Sequence, residues 1–331
     1  MMNMNQKIRI GICGYGNLGR GVEAEIGKRP DMELAAVFTR RTPAESLKIN
    51  ANVPVVHIDQ ADEWKDRIDV MLLCGGSAND LPEQGPSFAA RFNTVDSFDT
   101  HAKIPAYFDA MDKAAKAGGK IGIISIGWDP GLFSLMRLYL SAIIPDGKSY
   151  TFWGTGVSQG HSQAIRDIKG VTGAIAYTNP VPAALEQIKN GESPELRAGE
   201  MHTRLCYVSI ADGADEERIR NEIQSMPNYF DAYDTTVRFI PLEELKANHA
   251  ALPHGGKVVR GGTTGEDHRQ LMEFSLTLDS NPEFTASVLL TYARAAHRLA
   301  QKGESGARTI FDIPPSCLLD IDLQDAVKQL M

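Results

Sequence analysis

The stretch GYGNLG, Gly14 to Gly19, carries the first chemistry legible in this 331-residue chain. It fits G-x-G-x-x-G, in which the first glycine permits a tight turn and the second lets a pyrophosphate approach the backbone. The third lets the following helix pack closely on the strand. That helix would point its free N–H groups and the positive end of its dipole at the phosphates. About twenty residues on, an Asp or Glu would bind the adenosine ribose 2′-hydroxyl of NAD. Thr39, Arg40 and Arg41 stand there instead. A carboxylate would repel a 2′-phosphate, whereas each charge-assisted bond from a guanidinium contributes about 1.5–3 kcal/mol. The two motifs together predict NADP rather than NAD, the alternative being a solvated basic loop.

Three further loops follow strand-like runs: CGGSA (Cys74–Ala78), VDSFD (Val95–Asp99) and SIGWDPG (Ser125–Gly131). Loops at strand ends of an open α/β sheet are where ligands bind. Small residues in Cys74–Ala78 would let a nicotinamide ribose lie close. Asp99 and Asp129 could hold a substrate ammonium or take up a proton. Otherwise Asp99 caps a helix beginning near His101 and Asp129 sets an Asp-Pro turn. Farther on, TFWGTGVSQGHS reads as a binding loop around Trp153, and His254 lies in the loop-like LPHGGK. Arg204 interrupts an apolar strand, and an inward arginine needs a carboxylate, either of a substrate or of an internal ion pair. The eight histidines show no metal-binding spacing, and G-x-S-x-G is absent.

The elements that must position these groups change character partway along the chain. KIRIGIC, MELAAVFT, IDVMLLC, NTVDSF and KIGIIS read as strands, with helices over LGRGVEAEIGKRP and IPAYFDAMDKAAKAG. Strands alternating with helices predict βαβ units and a Rossmann-type, doubly wound parallel sheet. After GWDPG the strands YTFWG, TRLCYVSIA, TTVRFI, GKVVRGGTT and QLMEFSLTLD come more often. The last two are expected to be antiparallel neighbours. This predicts an α+β domain with one open mixed sheet. The helix EFTASVLLTYARAAHRLAQKG has an apolar face broad enough to pack back on the first domain. The expected division is residues 1–128, joined by 283–331, for the dinucleotide and 129–282 for the substrate.

Composition narrows the function classes. Apolar residues make up 43% of the chain, enough for a core without disulfides. A net charge of −8 without a basic stripe argues against nucleic acid or an anionic membrane as partner. Four dispersed cysteines suit a reducing compartment, and MMNMNQK lacks the apolar core of a signal peptide. A cytoplasmic protein is expected.

Taken together, GYGNLGRGVE, VFTRR, LPEQGPSFA, GWDPG, FWGTGVSQGHS, MPNYF, PHGG, NPEFTAS and RAAHR resemble the meso-diaminopimelate D-dehydrogenase family from about Lys7 to beyond Phe311. The resemblance implies NADP-dependent oxidative deamination of the D-centre of meso-2,6-diaminopimelate to L-2-amino-6-oxopimelate and ammonia, in lysine biosynthesis, by a homodimer. It implies cofactor contacts at Gly14, Tyr15, Gly16, Asn17, Leu18, Gly19, Thr39, Arg40, Arg41, Cys74, Gly75, Gly76, Ser77, Ala78, Ser97, Phe98 and Asp99, and at Gly127, Trp128, Asp129 and Pro130. Substrate contacts are implied at Asp99, Asp129, Trp153, Gln159, Gly160, Thr178, Arg204, His254 and Asn281. Asp129 would lie near the reacting D-centre with Asp99 in support. Thr178, Arg204, His254 and Asn281 would hold the distal L-amino-acid end. Competing readings are another two-domain NADP-dependent reductase, of the dihydrodipicolinate reductase kind, and a non-catalytic NADPH-binding sensor.

Overall fold

The computed structural model describes residues 7–266 and 268–331, so most of the N-terminal stretch MMNMNQK lies outside the described residues. In chain order the elements are β1 (Ile8–Cys13), α1 (Asn17–Ile26), β2 (Met32–Thr39), β3 (Val55–His57), β4 (Val70–Leu73), α2 (Leu81–Ala89), β5 (Asn93–Asp96), α3 (Ile104–Gly118), β6 (Ile121–Ile123) and α4 (Leu132–Ile143). Then come β7 (Asp146–Trp153), β8 (Gly156–Val157), α5 (Gln159–Arg166), β9 (Val171–Pro180), α6 (Pro182–Lys189), α7 (Ala198–Met201), β10 (His202–Ile210), α8 (Glu216–Gln224), β11 (Asp234–Phe239), α9 (Leu242–Asn248), β12 (His254–Thr264) and β13 (His268–Leu278). The chain closes with α10 (Asn281–Gln301), β14 (Gly306–Arg308) and α11 (Leu323–Leu330). The contacts divide these into two compact units, Met1–Leu135 with Pro282–Met331, and Met136–Asn281.

The first unit is a seven-stranded sheet in the order β14-β6-β5-β4-β1-β2-β3, parallel at every pairing. Its strands are buried on both faces, as their unbroken apolar runs require, and every residue of β4 is buried. The order from β3 to β6 is the doubly wound 3-2-1-4-5-6, whose direction of winding reverses between β1 and β4. α10 buries Ala286, Leu289, Leu290 and Ala293 in one core cluster with Ile10, Ile12 and Val22. Its buried Arg294 pairs with both oxygens of Asp31, at 2.5 and 2.8 Å. β3 and β14, each three residues long, went unread in the sequence.

The second unit departs from the expected single sheet. Its strands form a mixed four-stranded sheet, β11-β10-β9-β8, and an antiparallel three-stranded sheet, β13-β12-β7. The division falls at Gly154, between β7 and β8. Trp153 ends β7 opposite Gly256, and two residues past the turn Gly156 pairs with Thr178 of β9. Gly154 has φ +104°, and a Cβ there would lie 2.1 Å from the Thr178 carbonyl oxygen, so only glycine lets the chain change sheets. No helix among the described residues is long and apolar enough to cross a membrane.

Candidate active site

The glycine turn behaves as its spacing predicts. Gly14 has φ +95°, and a Cβ on Gly19 would lie 2.3 Å from the Gly14 carbonyl oxygen. A Cβ on Gly16, by contrast, would meet no protein atom within 4 Å. The fold does not need a glycine there, but a ligand lying on the backbone would. α1 starts at Asn17 without a side-chain cap or an acid in its first turn, leaving the amides of Asn17, Leu18 and Gly19 uncapped. The Tyr15 hydroxyl is anchored on the Glu23 carboxylate, which also accepts the N–H groups of Asn50 and Ala51.

Beside this turn a pocket of about 330 Å³ is lined by Gly14, Tyr15, Thr39, Arg40, Arg41, Gly75, Asp80 and Gln84, among others. The two arginines differ. Arg40 is ion-paired with Asp80 at 2.9 Å. Arg41 makes no ion pair among the described residues. The Thr39 hydroxyl accepts the Arg41 N–H at 3.2 Å, which fixes the backbone of the basic turn. Asp80 also accepts the Gly76 N–H at 2.8 Å. Asp80 and Gln84 were missed because AND-LPE reads as the start of a helix, with Pro82 and Glu83 in its first turn.

Ser77, Ala78, Ser97, Asp99 and Gly127–Pro130 do not line this pocket. The loops after β4 and β5 are nevertheless joined, since Ser77 Oγ accepts the Asp99 N–H at 2.9 Å and lies 3.3 Å from Thr100 Oγ1. No side chain caps the helical turn starting at His101, so Asp99 does not serve there, and it is exposed. Phe98 and Cys74 turn into the core; Phe98 stacks on Tyr107 at 4.2 Å. Only their backbone is offered to a cofactor. Asp129 lies in a tight turn from Gly127 to Gly131, bridged between Trp128 and Gly131. Gly131 has φ +129° and would clash with the Gly127 carbonyl if it carried a Cβ, so the turn admits only glycine there. Trp128 is buried edge-on against Phe133.

In the second unit, Arg204 of β10 and Thr178 of β9 are partners across the antiparallel pair. Both are buried, at 7% and 3% exposure, and the guanidinium Nη1 donates to Thr178 Oγ1. The Tyr233 ring lies 4.2 Å from the guanidinium. Arg204 Nε is buried without a hydrogen-bond acceptor, and among the described residues no carboxylate pairs with this arginine. Of the two partners the sequence left open, the internal ion pair is not made among the described residues.

Three histidines surround this charge. Burial, with the positive Arg204 adding to it, lowers His161 and His202 to about 4. His254 is lowered too, by burial first and Arg204 last, against a hydrogen bond to Gly255. All three are neutral at pH 7, so the charge is Arg204's. His254 is half-buried at the head of β12 rather than in an exposed loop. His202, which carried no recognisable signal, accepts the Trp153 N–H on Nε2 at 2.9 Å and stacks under the half-exposed indole. Gln159 and Gly160 begin α5, both exposed, with open space around Gly160. Asn281 begins α10 and donates its N–H to the Leu252 carbonyl, two residues before His254.

A doubly wound sheet with a glycine turn at its switch point and a basic pocket beside it defines a Rossmann-type dinucleotide-binding protein. Its second unit adds a buried arginine that no carboxylate among the described residues pairs. Residues 127–280 match the family model "Diaminopimelic acid dehydrogenase C-terminal domain". A meso-diaminopimelate D-dehydrogenase of Ureibacillus thermosphaericus is 59% identical over 98% of this chain and 99% of its own. The solved Corynebacterium glutamicum diaminopimelate dehydrogenase in complex with DAP superposes with a TM-score of 0.91, at 43% identity over 98% of this chain and 100% of its own. An engineered D-amino acid dehydrogenase bound to NADP+ gives 0.86, at 42% identity over the same shares. The chain belongs to the meso-diaminopimelate D-dehydrogenase family.

Proposed function

We propose that this protein oxidatively deaminates the D-centre of meso-2,6-diaminopimelate with NADP+, releasing L-2-amino-6-oxopimelate and ammonia. The observation that carries the reading is the buried Arg204 guanidinium, held by Thr178 and Tyr233 with no carboxylate partner among the described residues. A buried charge left unpaired is costly, so the site is built for an anion brought from outside. The carboxylate at the distal end of diaminopimelate is such an anion, and His254 and Asn281 offer hydrogen bonds beside it.

The first unit fits NADP. The open space at Gly16, the uncapped start of α1 and the arginine-lined pocket would take the pyrophosphate and the 2′-phosphate. Bound NADP+ supplies the hydride acceptor for the reaction. The protein's own contribution is to orient the D-amino group and accept its proton, which we assign to Asp129 with Asp99 in support. In this reading residues 1–128 and 283–331 serve the dinucleotide and residues 129–282 the substrate. The enzyme works as a homodimer in the cytoplasm. Four exposed apolar side chains of the second unit, Leu138, Tyr139, Ile143 and Leu271, support a surface covered by a second copy. Four free, buried cysteines support a reducing compartment.

The test is NADP reduction followed spectrophotometrically with the meso, LL and DD isomers. Turnover of the meso form and none of the LL form, which has no D-centre, is expected. No reduction with the meso form would refute the reading. The unequal arginines give a second test. Because Asp80 already neutralises part of Arg40's charge, Arg41→Ala should lower the NADP-over-NAD preference in kcat/KM by roughly 10- to 150-fold. Arg40→Ala should lower it several-fold less. Equal losses would mean that the Asp80 pairing has no bearing on specificity.

A further inference from the structure

Asp96, the last residue of β5, is fully buried and has no place in the cofactor pocket or among the substrate residues. Its bonding is unusual in what it joins. Oδ1 accepts the Phe98 N–H at 2.9 Å and the Ser125 N–H at 3.1 Å, and Oδ2 accepts the Tyr107 hydroxyl at 2.8 Å. Its main-chain carbonyl accepts the Ile126 N–H at 2.8 Å. One residue thus binds the loop that reaches Asp99 and the segment that enters the Gly127–Gly131 turn around Asp129.

The second of those contacts falls on a backbone that needs holding. Ser125 has φ +57°, the left-handed region that a serine occupies at a cost, and its own Oγ is buried without a partner. Nothing in the Ser125 side chain stabilises that conformation, whereas the carboxylate on its amide does. Tyr107 is tightly seated in turn, since a Cβ on Gly85 of α2 would overlap its hydroxyl.

We propose that Asp96 is a positioning residue for the reaction, whose ionised carboxylate fixes the Asp99 loop and the Asp129 turn in register with each other. The inference rests on the assignment of Asp99 and Asp129 to the reacting end. Burial pushes the Asp96 carboxyl up to about 6, against the pull of the bonds from Phe98, Ser125 and Tyr107. Tyr107 from α3 is the titratable group facing it. The two loops offer backbone amides, and no charged side chain among the described residues acts on it. A carboxyl whose pKa is raised is ionised only above that value. The clamp is therefore intact at neutral pH and weakens as pH falls through about 6.

Three variants test this. Asp96→Ala should lower kcat by about 100-fold, the effect of a misplaced reacting group, with the NADPH dissociation constant held within about threefold. In the unliganded variant the amides of Phe98 and Ser125 should exchange with solvent about tenfold faster or more. Asp96→Asn keeps an acceptor for both amides but cannot titrate. Being neutral like the protonated carboxyl, it should hold turnover at pH 7 between the wild type and Asp96→Ala, near the level the wild type reaches below pH 6, and lose the decline of kcat near pH 6. Tyr107→Phe removes a bond that favours the ionised form, so the decline should move to higher pH by about half a unit or more. Near wild-type turnover and exchange in Asp96→Ala, or a decline unmoved in both Asp96→Asn and Tyr107→Phe, would overturn the proposal. If Asp96→Ala does not fold, the other two decide. Asp129→Asn is the control. Should it keep full turnover, the assignment of Asp129 fails; should it lose turnover while the Asp96 variants behave as wild type, only the positioning role fails.

Discussion

Asp129→Ala is expected to lower the turnover of meso-diaminopimelate by about 10²- to 10⁴-fold, the range for a removed general base. The D-amino group reaches the enzyme as an ammonium and must give up a proton before its lone pair can assist departure of hydride from the carbon. A carboxylate in a rigid turn suits that task. The turn is held by the Trp128–Gly131 bridge and by the Leu132 and Phe133 N–H groups donating to the carbonyls of Gly127 and Trp128, at 3.0 and 2.8 Å. These bonds are all backbone to backbone, so thermal melting and NADPH titration of the variant show whether its loss is confined to turnover. Asp129→Asn separates the two roles assigned to the residue. It keeps a polar group to orient the amine but cannot take its proton, so KM should change little while kcat falls as in the alanine variant. If Asp129→Ala kept turnover within about tenfold of wild type, proton uptake would have to be reassigned to Asp99.

What the sequence showed and what it hid divide along a physical line. β1, the glycine turn and α1 are a local signal, because the turn's geometry is set within six residues, by the positive φ of Gly14 and the close approach of Gly19 to the Gly14 carbonyl. The arginine turn after β2 was legible for the same reason. Asp80, Asp96 and His202 were not, because their roles come from partners distant in the chain. Asp80 meets Arg40, Asp96 meets Ser125, and His202 meets Trp153 only once strands have paired. Arg204 lay between these cases. Its oddity inside an apolar strand was visible, but whether a carboxylate of the chain met it depended on the whole fold. The division of the second unit into two sheets was hidden similarly, since it follows from one close approach of Gly154 to Thr178.

Arg204→Met puts the substrate assignment to its most direct test, because methionine fills similar space while removing the charge and its hydrogen bond to Thr178. Losing a desolvated, charge-assisted contact to a carboxylate costs about 2–4 kcal/mol, or roughly 30- to 1,000-fold in kcat/KM for diaminopimelate. D-alanine has no distal carboxylate, and whatever turnover it shows should fall by less than about threefold, since its reacting end meets the same Asp129. Equal losses for the two substrates would mean that Arg204 supports the fold rather than reading the far end. Stability separates the two roles again. An arginine in an internal ion pair would leave a buried carboxylate behind, costing about 3–5 kcal/mol. Arg204 has no such partner among the described residues, so the variant should melt no lower than the wild type, and replacing a buried charge by an apolar side chain favours a rise. The neighbouring histidines report the same change from within the site. Because Arg204's charge helps hold His161, His202 and His254 low, all three should titrate at higher pH in the variant by NMR. Burial, the larger cause, should still keep them below the ordinary histidine value.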